Sequence, residues 1–416
     1  VSRWSWILKR IIQQIWFRAA LLSLLSVALA VLVGVITPYL PYRFGGELGQ
    51  DAVGTILGIM ASSMLAVTTF SLTAMVSAYS SATQLATPRA TQLLISDPTS
   101  QNALSTFLGA FVFSIVGIIG LQTSAYGHDG RVILFGATVL IVVLVVVTLL
   151  RWIGHITAFG RMADVIDRVE DAASRAMAAF AASPYLDGRS AVTIPDSAVA
   201  LRAETTGYVS HVDVATLGRI ADRAGWTVHV TALPGALVHP ARDLMRIEGA
   251  PDDTQRAALI AAFTIERHRN FDQDPRLGLI ALSEIASRAL SPAVNDPGTA
   301  IEVLNALLRV LLCLPADVPD AAEAASRLPV HLPRPTVEEM LTDAFRPILR
   351  DGAQEIEVTI RLTATLAALH EALPDARAPI RALADHTAVR ARRVMDDPDD
   401  LAAFEQAHDK AWPAGA

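Results

Sequence analysis

Hydroxyl side chains recur through an apolar stretch at residues 54–80, GTILGIMASSMLAVTTFSLTAMVSAYS. Thr55, Gly58, Ser62, Ala66, Thr69, Thr73, Ser77 and Ser80 follow one another at steps of three and four. A helix therefore carries them on one face, while Ile56, Leu65, Phe70, Leu72, Met75 and Val76 fall mostly on the others. Inside a bilayer such a charge-free stripe does one of two things: it lets a second helix approach closely, or it lines a path that holds water. Packing is the commoner use of small residues. In the conducting case Ser62, Thr69, Thr73, Ser77 and Ser80 would line a pore with little selectivity of its own.

Two other places hold side chains capable of chemistry. In ERHRNFDQD, residues 266–274, His268, Asp272 and Asp274 lie close together and could offer an imidazole and oxygens to a metal ion. Nothing elsewhere in the chain completes a ligand set, and structural or solvated roles are the commoner fate of such a cluster. In Ser291-Pro292-Ala293-Val294-Asn295-Asp296-Pro297 a proline-bracketed turn separates two apolar helical patterns, and Arg288 lies one helical turn before it. Asn295 or Asp296 suits the N-cap of the following helix, with Pro297 at its first position, so capping accounts for most of this motif. The chain has no Gly-x-Ser-x-Gly elbow, no His-Glu-x-x-His and no phosphate-binding glycine loop, and its ten histidines are scattered. No enzymatic role is expected.

The hydroxyl stripe needs a spanning helix to carry it, and the sequence has four stretches near the ~20 apolar residues that a bilayer requires: about 19–40, 54–80, 104–124 and 132–153. The first reads as a retained span rather than a signal peptide, because the apolar run from Ala19 continues past Ala28-Leu29-Ala30 to Pro38. Ahead of it, residues 1–18 mix Trp4, Trp6 and Trp16 with Arg3, Lys9, Arg10 and Arg18, which suits an amphipathic helix at the headgroup level. Arg151, Arg161 and Arg168 join this basic terminus on one side, against Arg43 and Arg131 on the other. Both termini are thus expected in the cytoplasm, with loops around Pro41-Tyr42-Arg43 and Tyr126-Gly127-His128-Asp129 facing outward. The fourth span, nearly all Val, Leu and Ile, is expected to face lipid. In the connection 81–103, Thr87-Pro88-Arg89 and Asp97-Pro98 signal turns, and Thr99 or Ser100 could cap the third span.

Charge divides the chain in two. Residues 1–160 carry eight basic and four acidic side chains, whereas the remainder carries 26 and 37, a net of −11. This acidic part has no basic stripe interleaved with aromatics, which argues against a nucleic-acid partner. Within it, residues 159–184 read as a connecting helix and 185–250 as a small β-rich module with one helix at 213–223. Residues 251–327 read as helices around the SPAVNDP turn, and 328–416 as a Pro-rich linker followed by C-terminal helices, two of them after about 353. The turn Leu233-Pro234-Gly235 gives the module the look of a biotinyl-type barrel sandwich. Lysine occurs only at Lys9 and Lys410, so a covalently carried cofactor is excluded and no cofactor is expected. The lone Cys313 rules out an intrachain disulfide and a cysteine-rich metal site.

Three stretches, QLATPRATQLLISDPTSQNALSTFLGAFVFSIVG, ETTGYVSHVDVATL and RNFDQDPRLGLIALSEIASRALSPAVNDPGTAIEVLNAL, resemble a family of bacterial inner-membrane proteins catalogued as predicted membrane proteins with a domain of unknown function. The likeness runs over most of the chain, from about residue 10 to about residue 390. It implies architecture, namely four spans and a large cytoplasmic carboxy-terminal region, and carries over no catalytic or binding residue. The expected fold class is a helical membrane protein with four transmembrane helices and a cytoplasmic α+β domain containing a small β-rich module and C-terminal helices. The span cores hold no ionisable residue and show no internal repeat, which makes a homo-oligomer the natural route to a path through the bilayer. The functional expectation is a homo-oligomeric inner-membrane pore for inorganic ions, weakly favouring cations through the field of its acidic part. The alternative is a membrane-anchored scaffold or sensor whose cytoplasmic domain binds a partner or small ligand.

Overall fold

Long apolar runs broken by Pro, Gly and Asp set the elements of the chain. The computed structural model describes all residues except 1–11, 13, 37–49, 86, 96, 124–125, 127, 158, 316–327 and 414–416. Most of the amphipathic helix expected at 1–18, with Arg3, Lys9 and Arg10, and the loop around Pro41-Tyr42-Arg43 lie outside the described residues. Contacts divide the chain into two compact units, one of Ile7–Gln84 and Thr91–Asp164, the other including Leu85–Ala90 and Val165–Ala416.

The first unit is built from α1 (Ile15–Ile36), α2 (Gln50–Leu85), most of the short α3 (Pro88–Ile95), α4 (Pro98–Gln122) and α5 (His128–Ile156). Four of these contain stretches long and apolar enough to cross a membrane: Trp16–Val33, Ala52–Thr83, Pro98–Gln122 and Gly130–Ile156. The expected number of such helices is present among the described residues, but their ends move. α2 runs for 36 residues, about 54 Å at the helical rise, well beyond the ~30 Å of a hydrocarbon core. α4 starts at Pro98 rather than near 104, because Asp97 caps it by accepting the amide of Ser100 while Pro98 takes the first turn. Neither Thr99 nor Ser100 is the cap. His128 and Asp129 open α5 instead of forming a loop. Tyr126, expected in that exposed loop, is buried and donates its hydroxyl to the Ala30 carbonyl at 2.8 Å.

α4 packs against both α1 and α5, with Phe107, Phe113, Leu57, Leu134 and Trp152 in the core. Close approach depends on small residues. A Cβ on Gly109 would sit 3.1 Å from Ser26 Oγ and 3.5 Å from the Leu22 carbonyl oxygen, and one on Gly117 would meet Leu57 at 3.1 Å. Ala103, Ser105, Gly109, Ala110, Ser114 and Gly117 are all buried. The small-residue packing seam of this unit is therefore on the third span. α5 exposes Val139, Leu140, Val143, Leu144, Val147 and Leu150.

α6 (Met162–Ala182) leads into the second unit, whose strands are β1 (Arg189–Ser190), β2 (Val199–Arg202), β3 (Gly207–Val212), β4 (Thr227–Val230), β5 (Leu237–Val238), β6 (Asp243–Glu248), β7 (Phe263–Glu266) and β8 (Val330–Leu332). They form a five-stranded sheet ordered β1-β8-β4-β6-β2 and a three-stranded sheet ordered β5-β3-β7. β8 pairs in parallel with both β1 and β4. Val209, Val228, Leu244, Met245, Ile247, Val330 and Leu332 fill the core. The expected helix is α7 (Val214–Ala224), started by the Asp213 cap and stopped at Gly225, whose φ of +69° only glycine adopts freely. Two boundaries need correction. The β module draws β7 and β8 from beyond residue 250, and β8 lies inside the segment read as a linker. Parallel pairing joins distant segments, so no local pattern announces it.

The rest of this unit is helical: α8 (Asp253–Ile260), α9 (Pro275–Ala289), α10 (Pro297–Leu311), α11 (Val337–Gly352), α12 (Ile356–Ala372), α13 (Arg377–Val394) and α14 (Pro398–Ala411). Three helices follow residue 353 rather than two, because a turn at Pro374–Ala376 and the Asp397-Pro398 cap break the apolar pattern. α9 is buried along Leu277, Leu282 and Ile285 and packs against α10 and α11.

Candidate functional site

On α2 the buried side chains among the described residues are Val53, Leu57, Met60, Ala61, Met64, Ser71 and Ala82. At 100° per residue, Ser62, Thr69, Thr73, Ser77 and Ser80 fall on roughly the opposite side of the helix, and all five are exposed. None of the described helices buries this stripe. Thr69 Oγ1 donates to the Leu65 carbonyl at 2.9 Å and Thr73 Oγ1 to the Thr69 carbonyl at 3.0 Å. Ser62 Oγ lies 3.1 Å and 3.0 Å from the Gly58 and Ile59 carbonyls. Their protons are committed to the helix backbone, and the oxygens keep lone pairs that point away from it. The face offers acceptors.

The 266–274 cluster does other work. Asp274 is buried, caps α9 by accepting the Arg276 amide at 3.2 Å, and forms an ion pair with Arg269 at 2.7 Å. Burial pushes its carboxyl above the usual range, and the Arg269 guanidinium opposes that shift. His268 and Asp272 are exposed. Among the described residues no three His, Cys, Asp or Glu side chains gather where they could hold a metal ion. The metal reading of His268, Asp272 and Asp274 is set aside, since the buried member is already bound to arginine.

The turn after α9 has the capping geometry read from its sequence, and Asp296 is the cap. Its carboxylate accepts the Thr299 amide at 3.0 Å and the Thr299 hydroxyl at 2.6 Å, and Pro297 takes the first helical position. These bonds hold the Asp296 carboxyl below its ordinary range. Asn295 precedes it in the left-handed region at φ +50°, a conformation asparagine tolerates better than most residues. Ser291 Oγ donates to the Arg288 carbonyl at 2.7 Å. The motif closes a turn, and Arg288 alone of its four residues reaches a groove.

That groove, of about 620 Å³, runs beside α9 and α11. On α9, Ile280, Ser283, Glu284, Ser287 and Arg288 share one face; on α11, Thr342, Asp343, Arg346, Pro347 and Arg350 do the same. Thr87 also lines it. Its carboxylates are already engaged: Glu284 pairs with Arg89, and Asp343 accepts from Arg276 Nε at 2.6 Å. Arg350 is held by Asp351 through two bonds of 2.7 Å and 2.8 Å. An adjoining hollow of about 530 Å³ adds His386 and Arg390 to Arg346 and Arg350. Sequence reasoning picked out only Arg288 here. Thr342, Arg346 and Arg350 at four-residue steps were the available signal, but nothing local says that they face the serines of a helix some sixty residues earlier.

Comparison with known proteins bears on the whole chain. It is 32% identical over 225 residues to uncharacterised proteins of Mycobacterium bovis and Mycobacterium tuberculosis, a match covering 50% of this chain and 42% of each relative. The chain thus spans less than half the length of the curated relatives it matches. No solved structure matches it. A family model described as predicted membrane protein, DUF2254, matches residues 12–368, which takes in the four apolar helices, the strands and the groove; the chain belongs to that family of predicted membrane proteins.

Proposed function

We propose that this protein is a homo-oligomeric pore of the bacterial inner membrane, with both termini in the cytoplasm and α2 lining the path for inorganic ions. The observation that carries the reading is the position of the stripe: Ser62, Thr69, Thr73, Ser77 and Ser80 are exposed on the side of α2 away from the chain's own core. A hydroxyl face turned to hydrocarbon gains nothing, whereas copies arranged around an axis would give it water. Hydroxyls that donate inward present oxygens outward, and this favours cations, as does the net −11 of residues 161–416. The test is electrical. Protein reconstituted in planar bilayers should conduct, and Thr73→Cys should become blockable by a thiol reagent. Absence of current at all voltages and pH values defeats the pore.

The groove beside α9 and α11 favours a second reading, a membrane-anchored sensor whose soluble region binds a small ligand. On that reading Thr73 substitutions leave function intact and groove substitutions abolish it.

A further inference from the structure

We propose that the groove beside α9 and α11 binds a phosphate-bearing ligand. This rests on the second reading above, of the groove as a ligand site, and makes no use of the pore.

Two buried hydroxyls carry the argument. Ser283 is 1% exposed and Thr87 8% exposed; both line the groove, and neither hydroxyl oxygen has a hydrogen-bond partner. Buried hydroxyls are nearly always satisfied, so a pair of orphans in one hollow calls for an acceptor supplied from outside. The basic side chains point to the charge of that acceptor. Glu284 and Asp343 are taken by Arg89 and Arg276, which lie outside the lining, and Arg350 is held by Asp351, which leaves Arg346 as the groove guanidinium that no carboxylate of the lining holds. Arg346 stands one turn from Arg350 on α11, and Arg390 in the adjoining hollow has a buried Nε without a partner. A local excess of guanidinium thus sits in a region whose overall charge is strongly acidic.

Geometry favours phosphate over carboxylate. The Ser283 hydroxyl on α9 and the Arg346 guanidinium on α11 approach from different walls. A carboxylate has two oxygens in one plane, whereas a phosphate has three or four in a tetrahedron and carries more charge. The volume of about 620 Å³ suits a small molecule rather than a bare ion. The phosphate could belong to a soluble compound or to a lipid headgroup.

The experiment uses the full chain in detergent, with pyrophosphate as probe and citrate as the carboxylate control, read by calorimetry. Pyrophosphate is expected to bind and to weaken as salt rises. Arg346→Ala, an exposed change, should weaken it about tenfold or more, the loss of one charged hydrogen-bonding partner. Ser283→Ala should weaken it severalfold while leaving the unliganded melting temperature unchanged or higher, because it deletes an orphan hydroxyl. A second arm places the protein in phosphatidate vesicles: loss of pyrophosphate binding there assigns the phosphate to a lipid headgroup, and retained binding assigns it to a soluble ligand. Tighter binding of citrate overturns the phosphate class but keeps the groove as a ligand site. Binding that ignores both substitutions, or no binding of pyrophosphate, citrate or phosphatidate, overturns the site itself.

Discussion

Asp97 and His155 tie the start of the third span to the end of the fourth: Asp97 Oδ2 lies 2.9 Å from His155 Nε2 and accepts the Ser100 amide at 2.7 Å. Asp97 is only 3% exposed, so this carboxylate is held by His155 and the Ser100 amide with little water around it. Replacing it by alanine removes the cap of α4 and strands the imidazole, and should cost about 2 kcal/mol. Asp97→Asn keeps a capping oxygen and should cost about half as much. Thermal unfolding in detergent measures both.

Gly278 of α9 lies against Ala173 of α6 with no room for a side chain, a built Cβ falling 2.7 Å from the Ala173 Cα. Gly278→Ala should destabilise by about 1–3 kcal/mol despite its better helix propensity, because overpacking outweighs the few tenths to 1 kcal/mol gained. Gly278→Ala combined with Ala173→Gly should recover only part of the loss, because the contact with the Ala173 Cβ goes but the one with its Cα remains. A double-mutant cycle by denaturant unfolding checks the coupling.

Thr73→Val separates folding from conduction. The residue is exposed and its hydroxyl bonds only to the Thr69 carbonyl of its own helix, so stability should change by less than about 0.5 kcal/mol. In the bilayer recording the same change should reduce single-channel current, since an apolar side chain replaces an oxygen in the path. An unchanged current together with unchanged stability removes Thr73 from the lining.

Asp296 adds a pH dependence of known sign. Its hydrogen bonds to Thr299 hold the folded carboxyl below the ordinary value, so the stabilisation is complete above the unfolded-state pKa of roughly 3.9 and is lost as pH falls through the lower folded value. Asp296→Ala should cost about 1 kcal/mol at neutral pH and flatten the acid limb of the stability profile. At the neighbouring position, Asn295→Gly should be tolerated, while Asn295→Val should cost about 1–2 kcal/mol through its φ of +50°. Acid titration of the melting temperature reads all three.

Much of this molecule is legible in one dimension. Four apolar runs of bilayer length announce four helices because each satisfies its backbone within itself and needs no distant partner. The Asp296-Pro297 and Asp213 caps are equally local: side chain and amide lie within three residues of one another. Even the hydroxyl stripe of α2 follows from spacing alone.

Tertiary structure decided what those local features are for. Whether a stripe packs or faces outward depends on which other helices exist and where they sit. Here α4, with Gly109 and Gly117 under Ser26 and Leu57, took the packing role and left Thr69 and Thr73 exposed. β8 joined β1 and β4 across more than a hundred residues, although its segment reads as a proline-rich linker. Ser283 and Arg346 share a groove only because α9 and α11 fold side by side. Periodicity in a sequence reports the faces of one element; which face meets which is settled by pairings between distant segments, and those are made only when the chain has folded.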